Sequence, residues 1–459
     1  MSLAPMLTAA RPRATAYQGV APDSALKTLI AQARAQPDSV RDALFQALGE
    51  TVSTTSVRQR TAQLLRARRL AAAYAHAWND SFFIRQVTRF ESASRSHRRE
   101  RVLAESLRRA GNAAMGEEGI PAAMNLWRQS LRRATSSGDP AAIAPALLSI
   151  GAGFYRFAQY DSAASYLNRA EALAVRIGDK RTAGNAVGIL ASVSQDRGDL
   201  SSAAQLYRRA SAIRALSGDS RGIAADANNL GLIADQRGDS RGAIAAYERA
   251  LSINRRDKRQ GLVALNLSNL AGIATSIGEY SRAESLYRES LALHEKHGDR
   301  AEAAFVHHGL GKLYMNRGEY RQAEVALEKS LRIHTESGAV TDAVAVRVDM
   351  AAVKSATGEP EAARRTLQEA SRIAKSAGGY PEVQGSLALA RGRLAIQFGT
   401  FADADSEYSQ SARQYRAAGH SAGLAQALEG KALLLHLRGD HAASLRVLGE
   451  VGQSQAARG

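Results

Sequence analysis

An all-α solenoid of antiparallel helix pairs is the fold class that this sequence predicts, and three observations predict it. The stretch from Ile223 to Ile253 carries small and large apolar residues at Leu230, Gly231, Ala243, Tyr247 and Ala250, and this pattern returns at a fixed interval of 40 residues. Forward copies are Leu270, Ala271, Ala283, Tyr287 and Ser290, then Leu310, Gly311, Ala323, Leu327 and Ser330; a backward copy is Leu190, Ala191, Ala203, Tyr207 and Ala210. A glycine also recurs every 20 residues from Gly178 to Gly378, and only Lys258 interrupts it. Most of these glycines precede an acid, as at Asp179, Asp199, Asp219, Asp239, Glu279, Asp299, Glu319 and Glu359. Glycine suits the left-handed residue just past a helix end, and an acid suits the cap or first turn of the next helix. The chain therefore turns every 20 residues, leaving helices of roughly 16 residues, about 24 Å long.

Taken in order, residues 1–22 hold Pro5, Pro12 and Pro22 without periodicity and read as a flexible lead-in. Residues 23–102 read as an N-terminal helical capping region. Leu26, Leu29 and Ile30 precede Pro37, then Val40, Leu44, Phe45 and Leu48 recur at helical spacing. A longer amphipathic segment runs through Leu64, Leu65, Leu70 and Tyr74 to Trp78. Phe82, Phe83, Ile84, Val87 and Phe90 form the densest aromatic cluster; packing of these helices onto the first repeat is preferred over a partner-docking patch. Ser92 to Arg109 is a basic helix whose Arg95, His97, Arg98, Arg99 and Arg101 read as a solvated face. Residues 103–459 hold about nine repeats, with Pro360 and Pro381 near helix starts, where a missing N–H costs little.

The residues of the repeat resemble the tetratricopeptide repeat, or TPR, a helix–turn–helix unit of about 34 residues; here each unit is six residues longer. Forty-residue units of this kind are similar to those of kinesin light chains and LGN/Pins-type adaptors, and to the arrays that precede the caspase-like CHAT peptidase domain in bacterial proteins. The resemblance implies a right-handed superhelix whose first helices line a concave groove that holds a protein or peptide. Counting from Gly231, that groove comes out polar and small: Asn185, Gly188 and Ser192, then Asn228, Asn229 and Gln236, then Ser268, Asn269 and Gly272, then His308, Lys312 and Asn316. In the related adaptors, asparagines at and beside the site before Leu-Gly hold the backbone of a bound peptide, and Asn229 and Asn269 match it. An amide both donates and accepts, so it can pair with either group of an extended chain. Asn185, Asn228, Asn229, Gln236, Asn269, His308, Lys312 and Asn316 are the expected peptide-binding residues.

Composition bounds the alternatives. There is no cysteine, which excludes disulfides, thiolate metal sites and a thiol nucleophile, and with it the CHAT catalytic domain. His294, His297, His307 and His308 come closest to a metal cluster, but His294 and His334 share one repeat position and read as helix-surface residues. No phosphate-binding loop or catalytic triad stands out. No enzyme, metal or cofactor is expected. The net charge of +17 raises nucleic acid as a partner. Residues 1–103 hold 16 Lys and Arg against 7 Asp and Glu, so the alternative function is a nucleic-acid binder acting through its N-terminal region. Asp196 and Asp235 in the expected groove would repel a phosphate backbone, which favours the peptide-binding scaffold, placed as the sensing array of a larger bacterial effector. No apolar run reaches the 18 or so residues of a membrane span, and a cytoplasmic protein is expected. No polar helix covers Leu445, Val447, Leu448 and Val451 at the end of the chain. A downstream domain or end-to-end self-association is expected to do so.

Overall fold

The computed structural model describes residues 23–456, all of whose regular structure is helical. Four helices come first: α1 (Ser24–Ala35), α2 (Pro37–Ser53), α3 (Val57–Trp78) and α4 (Phe82–Ser92). Helix pairs follow, beginning with α5 (Arg95–Glu117) and α6 (Ile120–Ser136), α7 (Pro140–Arg156) and α8 (Tyr160–Ile177), and α9 (Lys180–Asp196) and α10 (Leu200–Ala215). Next are α11 (Ser220–Gln236) and α12 (Ser240–Arg256), α13 (Gln260–Ser276) and α14 (Tyr280–His297), and α15 (Arg300–Asn316) and α16 (Tyr320–Glu336). The last are α17 (Val340–Ala356) and α18 (Pro360–Ser376), α19 (Pro381–Gln397) and α20 (Phe401–Ala417), and α21 (Ser421–Leu437) and α22 (His441–Ala456). That makes nine pairs among the described residues, a TPR-like solenoid of the expected class. The chain divides into two compact units, Met1–Asp226 and Ala227–Gly459. The flexible lead-in expected over residues 1–22 lies outside the described residues.

The turns explain the regular spacing. At Gly238, φ is 75°; its N–H donates to the Asp235 carbonyl, and the Asp239 N–H reaches back to Ala234, both at 2.8 Å. This six-to-one closure satisfies the last carbonyls of a helix and needs a left-handed residue. Lys258, the interruption in the glycine series, adopts the same conformation at φ 57° with the same pair of hydrogen bonds. Ala158, one step before the series begins, does so at φ 54°. The following acid caps the next helix only where it is a suitably placed aspartate. Asp179, Asp199, Asp219 and Asp239 each accept from the N–H three residues on, at 2.8–3.1 Å. Asp299 and the longer Glu279, Glu319 and Glu359 make no such bond.

Within a pair, the small residue after Leu230 meets the large one 16 positions on: a Cβ built on Gly231 would lie 2.6 Å from the Tyr247 ring. The Tyr247 ring is 1% exposed, so the glycine sets how closely α11 and α12 approach.

In the first unit, α1–α4 share one core in which Leu44, Leu48, Phe82, Phe83 and Phe90 are buried. The aromatic cluster is thus internal packing. Its helices do not simply cover the first repeat, however. Arg101 and Arg89 reach Asp139 at 2.9 and 3.4 Å, before α7. Asp80 and Asp38 pair with Lys180 and Arg181, at the start of α9. The Tyr74 hydroxyl donates to the Ser217 carbonyl at 3.0 Å and the Trp78 ring lies on Gly218, before α11. The N-terminal helices therefore run along the turns of three successive pairs. The expected boundary at 102/103 falls inside α5. Nor is the basic stretch a solvated face throughout: Arg101 is 7% exposed, and the Arg98 guanidinium donates to the Glu91 and Ala93 carbonyls. Among the described residues no helix is long and apolar enough to cross a membrane. In α22, Leu445 and Leu448 are exposed while Val451 is buried.

Candidate functional site

The polar face of α11 and α13 is organised by a chain of amides. Asn254 on α12 and Asn266 on α13 are 3% and 2% exposed, and the Asn254 amide donates to Asn266 Oδ1 at 2.8 Å. Asn266 in turn donates to Asn228 Oδ1 on α11 at 3.0 Å, and Asn269 donates to the same oxygen at 2.9 Å. Arg259 starts the chain, donating to Asn254 Oδ1 at 3.3 Å. Burial without partners would be costly, so each amide holds the next in one orientation. The outcome at the half-buried end is specific. Among the described residues, no hydrogen bond uses Asn228 Nδ2, Asn269 Oδ1 or the Asn229 amide. One fixed donor and one fixed acceptor are left beside a free amide.

The other expected residues separate into two groups. Asn185, on α9, accepts from the buried Arg214 at 3.3 Å. His308 on α15 is bonded to Asp349 on α17 at 2.6 Å through Nε2. Both are committed to internal contacts. Gln236, Lys312 and Asn316 are exposed near the C-terminal ends of α11 and α15, and the structure does not bring them onto the amide cluster.

A second organised feature is buried. At one position in successive second helices the chain carries Ala134, Ala174, Arg214, Asn254, His294, His334 and Ala374, all of them buried. Arg214 forms an ion pair with Asp226, and Asn254 bonds to Asn266, the residue 12 positions on in each case. His294 and His334 face this interior too, at 3% and 2% exposure, which corrects their reading as helix-surface residues. Among the described residues, His334 Nε2 has no hydrogen-bond partner, and the ring packs edge-on against Phe305 with centroids 4.9 Å apart. No group of three or more acids and histidines among the described residues is placed to hold a metal.

Burial holds the His334 imidazole below the ordinary histidine range; the Asp342 carboxylate opposes this and His308 adds to it. A folded chain that resists a proton which the unfolded chain accepts has its full stability above the ordinary pKa of about 6.5 and loses it as pH falls. Thermal melts are expected to show lower stability at pH 5.5 than at 7.5, by at most about 1.4 kcal/mol per pH unit for this one proton. In His334→Ala, which installs the residue found at Ala374, the slope should flatten. An unchanged slope would assign the acid sensitivity to other groups.

The sequence pointed to Asn228, Asn229 and Asn269 but not to the residues that hold them. Asn254, Asn266, Arg214, Asp226 and Asp349 were missed. A signal existed: Asn254 and Asn266 stand 40 residues after Arg214 and Asp226, so a polar pair recurs where the two preceding copies have only alanines, Ala134 with Ala146 and Ala174 with Ala186.

The sequence profile described as Tetratricopeptide repeat matches residues 182–256, 262–336 and 302–376. No curated protein matches the sequence. Among solved structures, the apo form of the quorum sensor NprR from B. thuringiensis is similar with a TM-score of 0.55 at 14% identity, over 76% of this chain and 98% of that one. Aspartyl phosphate phosphatase F from Bacillus subtilis gives 0.50 at 12% identity, over 77% and 95%. BtubC (BKLC) from P. vanneervenii gives 0.42 at 26% identity, over 49% and 91%.

Proposed function

We propose that this chain of 40-residue units, which match the tetratricopeptide-repeat profile over residues 182–256 and 262–376, is a scaffold that binds an extended peptide segment of a partner on the polar face of α11 and α13. The observation that carries the reading is the unspent donor of Asn228 beside the unspent acceptor of Asn269, each fixed by the amide chain behind it. A peptide backbone presents N–H and C=O groups that such a pair matches, and a preset orientation lowers the ordering cost of binding. The neighbouring Asn229 amide supplies a further donor and acceptor. Gln236 on α11 and Lys312 and Asn316 on α15 are solvated positions outside this centre. The scaffold needs no cofactor, metal or catalytic group for this role.

A nucleic-acid role through the basic N-terminal helices is the weaker reading, because Arg98 and Arg101 are held by internal carbonyl and carboxylate oxygens. The test is a displayed-peptide selection on the whole chain followed by titration of the selected peptide. Asn229→Ala with Asn269→Ala should weaken binding by about 1–3 kcal/mol, and raising salt from about 50 to 200 mM should change it little. A nucleic-acid ligand with 6–10 phosphate contacts would lose some 10³-fold or more over that range. A selection that yields only peptides indifferent to both asparagines would overturn the proposal.

A further inference from the structure

Away from that face, the packing of α1 leaves a groove. Ala33 is its one fully buried side chain, and Leu29 remains half-buried against α3. Between α1, α2 and α3 lies an open space of about 390 Å³ with Leu29, Val40, Leu65 and Leu70 among its walls. A cavity of about 150 Å³ accommodates benzene, so this groove has room for more than one aliphatic side chain. Leu65 is 51% exposed on its rim.

The rim is charged in one sign. Arg66 and Arg69 line the groove, are exposed, and make no ion pair among the described residues. Their neighbour Arg68 is different: it points to α4 and is paired with Glu91 at 2.8 Å. The nearby acids of α2 are also occupied, Asp38 with Arg181 and Asp42 with Arg109. An apolar floor under two uncompensated guanidinium groups calls for apolar side chains with carboxylates beside them. Residues 1–22 of this chain do not fit that description, since they carry Arg11 and Arg13 and no acid.

We propose that this groove is a second docking site, distinct from the α11–α13 face, and that it takes an acidic amphipathic segment of a partner protein. The segment's leucine-like side chains fill the floor between Leu29, Leu65 and Leu70, and its carboxylates meet Arg66 and Arg69. Nucleic acid would match the arginines but leave the apolar floor uncovered.

The test uses the full chain and a fluorescein-labelled helical peptide of about 18 residues, five turns, with leucines along one stripe and glutamates flanking it. Comparison probes are the same peptide with lysine for glutamate, a shuffled peptide of equal composition, and a single-stranded oligonucleotide of similar length. The acidic amphipathic peptide should bind at least about tenfold more tightly than the other three, with Leu65→Asp and the pair Arg66→Glu and Arg69→Glu each removing that advantage. These three side chains are exposed, so circular dichroism melts should match the parent. Asn229→Ala with Asn269→Ala should leave this binding unchanged, which separates it from the peptide face. Equal binding of acidic, lysine and shuffled peptides, indifference to the groove variants, or tighter binding of the oligonucleotide would each overturn the proposal.

Discussion

Arg214→Ala is expected to destabilise the chain by about 3–5 kcal/mol, the cost of removing one partner from a buried ion pair. The guanidinium is 8% exposed and sits against Asp226, Asp219 at 3.4 Å, Asn185 Oδ1 at 3.3 Å and the Gly222 carbonyl at 3.3 Å. Truncation leaves Asp226, itself 1% exposed, as a buried carboxylate without its cation. The neighbouring repeat shows how the site can be rebuilt. Asn254 and Asn266 occupy the corresponding positions as a neutral hydrogen-bonded pair. Arg214→Asn combined with Asp226→Asn should therefore lie within roughly 1.5 kcal/mol of the parent, since it exchanges a charged pair for a satisfied neutral one. Urea denaturation, with hydrogen exchange over α9 to α11 to locate the loss, reads both variants. Equal losses in the single and double variants would show that the charge pair is not the source.

Gly231→Leu is expected to cost about 2 kcal/mol or more through overpacking. The Cβ alone would come within 2.6 Å of the Tyr247 ring, and leucine adds three further carbons in a space with no exit, since Tyr247 is 1% exposed. Gly231→Ala should be far milder. Ala191 and Ala271 hold the same position opposite Tyr207 and Tyr287, so this interface accommodates one methyl group elsewhere in the array. A leucine variant that melts within a degree of the parent would refute the assignment of this glycine to close helix packing.

The turns were legible because they are local. One left-handed residue and the acid after it decide where each helix ends, and Lys258 shows that the spacing persists even where the residue type changes. The asparagine face was legible in part, because Asn229 and Asn269 stand just before the leucine of the repeat. Its support was not read, since Asn254 belongs to a different helix from its partners. His294 and His334 were misread although the pattern contained the correction. His294 continues the stripe of Ala283, Tyr287 and Ser290 at intervals of four, three and four, the buried face of α14. The docking of α1–α4 along three turns lay beyond reach. Contacts such as Arg181 with Asp38 join residues 143 positions apart, and no local pattern encodes them.

The buried column from Ala134 to Ala374 also governs how such an array can change length. Excising residues 135–174 would set Ala134 opposite Ala186, a contact of the same kind as the one removed. Excising 215–254 would instead set Arg214 opposite Asn266, a cation facing a neutral amide; excising 255–294 would set Asn254 opposite Val306, an amide facing hydrocarbon. Each polar pair thus acts as an address that only its own neighbour can answer. Repeats at the alanine end are interchangeable parts, whereas those around Arg214 and Asn254 can be lost or duplicated only together with both sides of their pair.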